Sequence, residues 1–204
     1  MDKIKVAVLV SGGGTNLGAL IEAEKKGIIK SGEISLVISN KVGAYALERA
    51  RNAGIEALTV TKAECGSQEA FENKLIDTLQ SRGIELIVLA GFMAILSEKF
   101  TRAFENRIIN VHPSLIPSFC GKGFYGLRVH EAALEYGVKV TGATVHYVNE
   151  IPDGGKIIMQ KSVAIKSGDT PEILQRRVME KAEWIILPRS CELVCRELLK
   201  NRKA

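Results

Sequence analysis

What the chain lacks narrows its class before any motif is read. Its 204 residues contain no apolar run near the roughly 18 residues that a bilayer-crossing helix requires. The longest candidate, Leu86 to Leu96, is broken by Gly91, so a spanning helix is not expected. At the N-terminus Lys3 and Lys5 precede only Val6-Ala7-Val8-Leu9-Val10 before a glycine cluster. That segment is too short for a secretory signal, and the expected location is the cytoplasm. Four cysteines, at 65, 120, 191 and 195, fit neither a small-domain disulfide framework nor a paired Cys-x-x-Cys metal site. They read as reduced thiols, with Cys191 and Cys195 one helical turn apart on a buried face, and no metal is expected. The net charge of +5 is modest for this length and suits anionic small molecules as readily as nucleic acid. The basic end, Lys200, Arg202 and Lys203, reads as a complement to the dipole of the last helix. Internal repeats, low-complexity tracts and linkers are missing too, so residues 1–204 are expected to form one domain.

What is present is a βαβ rhythm. Short β-branched runs at Ile4–Val10, Ile34–Ser39, Ala57–Val60 and Glu85–Ala90 alternate with helical patterns to about Lys26, over about Ala44–Ala53 and over Gln68–Ser81. Continuously apolar runs of this kind suit parallel strands covered on both faces. Leu96-Ser97-Glu98-Lys99 opens another helix, and Arg107–Val111 forms a strand stopped by Pro113. Pro113 to Arg128 then lacks periodicity and reads as a functional loop, a lid or a wall. After a short helix over about Val129–Tyr136, two alternating stretches, Lys139–Asn149 and Lys156–Ile165, flank the turn Pro152-Asp153-Gly154-Gly155 and are expected to pair antiparallel. Thr170-Pro171-Glu172 starts a long closing helix, expected to be interrupted near Pro188. The fold class is therefore α/β: a Rossmann-like, open, mostly parallel twisted sheet with helices on both faces and an antiparallel C-terminal portion.

Three segments carry chemistry. Ser11-Gly12-Gly13-Gly14-Thr15-Asn16 joins the first strand to the first helix, where free amides and the helix dipole favour an anion such as phosphate. Neither familiar nucleotide motif is satisfied. A dinucleotide fingerprint needs glycine where Leu17 stands, a P-loop needs Gly-Lys-Ser/Thr where Gly18-Ala19-Leu20 stands, and Asn40-Lys41 replaces the acidic residue that holds a ribose diol. The second segment, Asn110-Val111-His112-Pro113-Ser114, places an amide and an imidazole two residues apart, on one face of a strand's carboxyl end. Such a pair suits an acyl-transfer oxyanion. The third is Asp153, which reads as turn chemistry unless folding brings it beside His112. There the carboxylate would favour imidazolium and raise the histidine pKa toward working pH. His130 and His146 are equally well read as structural. The apolar continuation Leu89 to Leu96 suits the wall of a pocket for a flat heteroaromatic ring.

Taken in order, these segments resemble the phosphoribosylglycinamide formyltransferase family, from Val6 to about Pro188. The resemblance rests on Ser11–Asn16, Ser39-Asn40-Lys41, Leu89–Met93 with Ile95-Leu96, Asn110–Pro117, His130, Thr144-Val145-His146 and Asp153-Gly154-Gly155. It implies transfer of a formyl group from 10-formyltetrahydrofolate to the amine of glycinamide ribonucleotide, in purine biosynthesis. It also implies Asn110, His112 and Asp153 as the catalytic trio, and Gly14, Thr15, Asn16 and Glu183 as acceptor contacts. The folate would lie against Gln68, Met93, Ala94, Ile95, Leu96, Asn110, Glu150 and Asp153. Glu183 aligns with one residue inserted in the helix before it. Gln68 and Ala94 stand where some members carry arginines, and the loop Ser118–Arg128 is longer and richer in glycine than in several relatives. The implied partners are the two small-molecule substrates, with no nucleic acid and no membrane, for a monomer or homodimer. Two enzymes resembling this fold, formyltetrahydrofolate deformylase and methionyl-tRNA formyltransferase, carry an additional N-terminal or C-terminal domain for which no room is expected here.

Overall fold

Ile4–Val10 forms the central strand β1, and its alternation divides the interior in two. Ile4, Val6, Val8 and Val10 face one apolar cluster, while Ala7 and Leu9 face another. That is the period-two projection of a strand covered on both sides. The computed structural model describes residues 2–202; Lys203, assigned above to the basic end, lies outside them.

The remaining strands are β2 (Gly32–Ser39), β3 (Glu56–Thr59), β4 (Leu86–Leu89), β5 (Ile108–His112), β6 (Val140–Tyr147) and β7 (Ile157–Ala164). They form one sheet in the order β3-β2-β1-β4-β5-β6-β7. β1 to β5 pair parallel, whereas β5–β6 and β6–β7 are antiparallel. The expected mixed sheet is thus the observed one. The helices are α1 (Thr15–Lys25), α2 (Tyr45–Asn52), α3 (Lys62–Cys65), α4 (Gln68–Ser81), α5 (Glu98–Ala103), α6 (Leu127–Tyr136), α7 (Pro171–Val178) and α8 (Trp184–Asn201). Leu17 and Leu20 of α1, Leu47 of α2 and Val194 of α8 pack into the first cluster; Phe71, Leu75 and Leu79 of α4 and Phe100 of α5 fill the second. Burying one such side chain contributes about 1.5–3 kcal/mol.

Strand order reverses between β1 and β4, and there the connections leave the sheet on opposite faces. A crevice opens at the carboxyl ends of the strands, where open α/β sheets bind ligands.

Three details depart from the sequence reading. β2 starts at Gly32, two residues early, where Gly32 and Glu33 pair with Ile4 and Lys5 of β1; a side chain at Gly32 would come within 2.7 Å of the Cys195 sulfur on α8. The short α3 is an addition, closed by a capping box between Thr61 and Glu64. The closing helix is not interrupted at Pro188. Its irregularity is a wider π-helical turn at Met179–Glu183, after which Pro188 sits inside α8. A π turn accommodates one extra residue without ending the helix, and it coincides with the insertion ahead of Glu183. Among the described residues no helix is long and apolar enough to cross a membrane.

Candidate active site

The carboxyl ends of β1, β4 and β5 build the floor of the crevice. After β1, Gly14 takes the left-handed conformation (φ 70°) and caps α1 at its N-terminus. A side chain there would stand 2.6 Å from the Ala46 Cβ of α2, so glycine is required on two counts. Gly12 and Gly13 instead face open space. The loop is fixed from behind: the Ala46 amide donates to the Gly12 carbonyl at 3.1 Å, and Arg49 Nε to that of Gly13 at 2.9 Å. Arg49 brings a positive charge beside the glycines that the sequence reading did not single out.

The segment after β4 is tied to this loop through Ser11. Its hydroxyl donates to Asn40 Oδ1 at 2.7 Å and accepts the Met93 amide at 2.8 Å. On the far side, Gln68 donates to the carbonyl of Ile95 (3.1 Å) and to the buried carboxylate of Glu72 (2.8 Å). Glu72 also accepts the Ser97 amide and hydroxyl.

β5 presents Asn110 and His112, and the register with β6 sets Asn110 opposite His146 and His112 opposite Thr144. Asn110 Nδ2 lies 3.2 Å from His146 Nε2. The other nitrogen of that ring, Nδ1, is 2.8 Å from the Tyr147 carbonyl, which can only accept. Nδ1 therefore carries a proton, which in the neutral tautomer leaves the Nε2 lone pair to the Asn110 amide. Asp153 enters from the turn between β6 and β7 with φ 56°, in the left-handed region that few residues other than glycine adopt. Its carboxylate reaches both imidazoles, His112 Nδ1 and His146 Nε2, each at 3.5 Å, and accepts the Gly121 amide at 2.8 Å. The convergence expected of His112 and Asp153 is present in the structure, with His146 as a further member. His112 Nε2 donates to the Phe119 carbonyl at 2.8 Å.

The electrostatics correct one expectation. Burial pushes the His112 imidazole down, and this outweighs the upward pull of Asp153 and the Phe119 carbonyl, with His146 adding to the fall. The ring is thus held below its ordinary 6.5 rather than raised toward working pH. Burial also opposes ionisation of Asp153, yet the adjoining His146 and His112 rings and the Gly121 amide together hold its carboxyl below the usual range. Glu183 is fully enclosed; desolvation carries its carboxyl up to about 7 against the pull of Asn16 Nδ2, which donates to it at 2.7 Å.

Two cavities meet at this cluster. One of about 260 Å³ is bounded by Asn16, Glu183, Asn110, His112, His130 and Asp153. The other, of about 820 Å³, is walled by Met93, Ala94, Ile95, Leu96, Glu150 and His146, and shares Asn110 and Asp153 with the first. Of the candidate folate contacts, Gln68 alone lies outside that wall, across the 91–97 segment in an adjoining hollow. Of the candidate acceptor contacts, Thr15 faces a separate groove of about 650 Å³ beside α1 and α2, which holds none of the converging groups. Its hydroxyl lies 3.8 Å from Met179 Sδ. Among the described residues no cluster of three or more His, Cys, Asp or Glu is arranged to hold a metal ion. An amide, two imidazoles and a carboxylate at the seam of two cavities can stabilise an oxyanion and move a proton.

Residues 4–190 match the formyl transferase family model. The chain is 42% identical to the phosphoribosylglycinamide formyltransferase of Haemophilus influenzae, over 90% of this chain and 84% of that one. It is 47% identical over 193 residues to the trifunctional purine biosynthetic protein adenosine-3 of Gallus gallus, of whose length it spans only 18%. Among solved structures, glycinamide ribonucleotide transformylase 1 of Symbiobacterium toebii superimposes with a TM-score of 0.89 at 42% identity, covering 96% of this chain and 89% of that one. With a match across most of its length, the chain belongs to the formyl transferase family, and within it to the phosphoribosylglycinamide formyltransferases.

Proposed function

We propose that this protein transfers the formyl group of 10-formyltetrahydrofolate to the amine of glycinamide ribonucleotide, as a single cytoplasmic domain of purine biosynthesis. The observation that carries this reading is the seam: Asn110 and Asp153 belong to the walls of both cavities. The larger, apolar cavity suits the flat pterin, between the 91–97 segment and the turn before β7. The smaller one suits the acceptor, with the glycine loop and the α1 N-terminus nearby for its phosphate. Asn16 and Glu183 then contact the acceptor, and Gly14 and Thr15 shape the loop.

In this mechanism the acceptor nitrogen forms a bond to the formyl carbon. Asn110 gives one amide hydrogen to His146 and directs the other at the developing oxyanion. Neutral His112 takes the proton released by the amine, becoming an imidazolium stabilised by the Asp153 carboxylate. It returns that proton to the folate nitrogen as the carbon–nitrogen bond to the carrier breaks. Each oxyanion donor of this kind contributes about a hundredfold to a thousandfold in turnover.

The test is transfer measured with and without the phosphorylated amine. Formylated acceptor and free tetrahydrofolate in equal amounts support the reading. Formate release independent of acceptor would point to a hydrolase instead, and absence of folate turnover to a binding module.

A further inference from the structure

His130 lies on the buried face of α6 with Val129 and Ala133, and is fully inaccessible to solvent. It borders the smaller cavity, and among the described residues neither of its ring nitrogens has a hydrogen-bond partner. Every other imidazole and carboxylate bordering that cavity is engaged: His112 on the Phe119 carbonyl, Asp153 on the Gly121 amide and Glu183 on the Asn16 amide. One more polar atom there is unpaired, Asn16 Oδ1. A buried imidazole left without a partner carries an uncompensated desolvation cost. Two such groups bordering one hollow place this cost where a polar molecule would relieve it.

We propose that His130 is a substrate-contacting residue that accepts a hydrogen bond from the acceptor's attacking amine. This rests on the acceptor site assigned above and adds to it the group that orients the nucleophile. A primary amine carries two hydrogens. The one lost on bond formation goes to His112, and the one kept in the product amide is the one His130 holds. The nitrogen lone pair is thereby turned toward the formyl carbon, and no proton passes through His130. That role requires a neutral ring, and burial together with the nearby His112 carries the His130 imidazole down to about 4. A ring serving only as apolar filling would be better replaced by a phenyl group, which leaves no unpaired nitrogen.

The chain has only three histidines, so ring-nitrogen NMR of the 15N-labelled wild-type protein resolves each one. Adding glycinamide ribonucleotide without folate is expected to move the unprotonated nitrogen of His130 upfield, as accepting a hydrogen bond does; inorganic phosphate alone should not. His130→Phe is expected to lower kcat/KM for the acceptor by about tenfold, the worth of one hydrogen bond, with KM for the folate unchanged. An unmoved His130 resonance while the ligand's 31P signal reports binding overturns the proposal, and so does His130→Phe with unaltered acceptor kinetics. If His130→Phe does not fold, the wild-type titration decides alone. Wild-type protein that transfers no formyl group overturns the functional reading and this inference together. Normal transfer with a silent His130 removes only the inference.

Discussion

Asn110 and His146 face one another across the β5–β6 register, with the amide nitrogen 3.2 Å from an imidazole nitrogen whose ring is locked by the Tyr147 carbonyl. This contact decides which end of the Asn110 amide looks into the site. With the NH2 group bound to His146, one N–H remains free for an oxyanion.

Asn110→Ala is expected to reduce kcat by roughly a hundredfold to a thousandfold with little change in either KM. His146→Phe, which keeps volume but removes the acceptor nitrogen, should cost about tenfold by releasing the amide. Because His146 acts through Asn110, the double variant should be no slower than Asn110→Ala alone, and steady-state kinetics of the four proteins check this. Additive losses would assign His146 a separate task.

Asp153→Asn removes the charge that lifts His112 and leaves burial, which lowers it. The imidazole should titrate further below its ordinary value, followed by NMR, and the acidic limb of kcat should move with it. A second readout lies nearby. Burial and the Asp153 charge together hold the Cys120 thiol above its usual range, so the same substitution should speed alkylation of Cys120 at mildly alkaline pH. A His112 titration identical to wild type would dissolve the pairing.

The turn that delivers Asp153 depends on Gly155, where a Cβ would collide with the carbonyl oxygen of Tyr147. Gly155→Ala is therefore expected to destabilise the fold by about 1–3 kcal/mol in chemical denaturation and to lower kcat more than Gly154→Ala. At Gly154 the nearest atoms are the Ile151 Cγ2 and Cβ, at 2.6 and 2.7 Å, a less severe approach than that of the Tyr147 carbonyl at Gly155.

How much of this was readable beforehand differs by element. The apolar runs at Ile4–Val10 and Leu86–Leu89 announce buried parallel strands, since no other local structure uses them so economically. The same alternation placed Asn110 and His112 on one face. Thr61 and Glu64 were a readable capping box and would have revealed α3. The π turn had no such signal, because Pro188 is the conspicuous helix breaker while the widened turn, residues 179–183, has an ordinary helical composition. Asn110 meets His146 only through strand register, which neither residue's neighbours disclose. The fall in the His112 pKa was hidden for another reason: the carboxylate's pull is legible from residue type, whereas desolvation exists only after folding.

Glu183 offers a test by stability. Its carboxyl titrates at about 7 in the fold and at an ordinary 4.5 in the unfolded chain. A raised acid favours folding while neutral, so that stability is full below pH 4.5 and is lost progressively as pH rises through 7. Glu183→Gln keeps an oxygen for Asn16 and cannot ionise. It should gain on wild type with rising pH, by up to roughly 3 kcal/mol at pH 8, in denaturant melts at several pH values. A constant difference across that range would show that Glu183 is not desolvated.

The widened turn at 179–183 also sets the rotational phase of everything after it. Each helical residue advances the face by about 100°. Excising one residue there would swing Cys191, Val194 and Cys195 off the sheet and carry polar neighbours inward. The irregularity works as an indexing tooth: it aims Glu183 at the crevice while the last helix stays seated on β1 and β2.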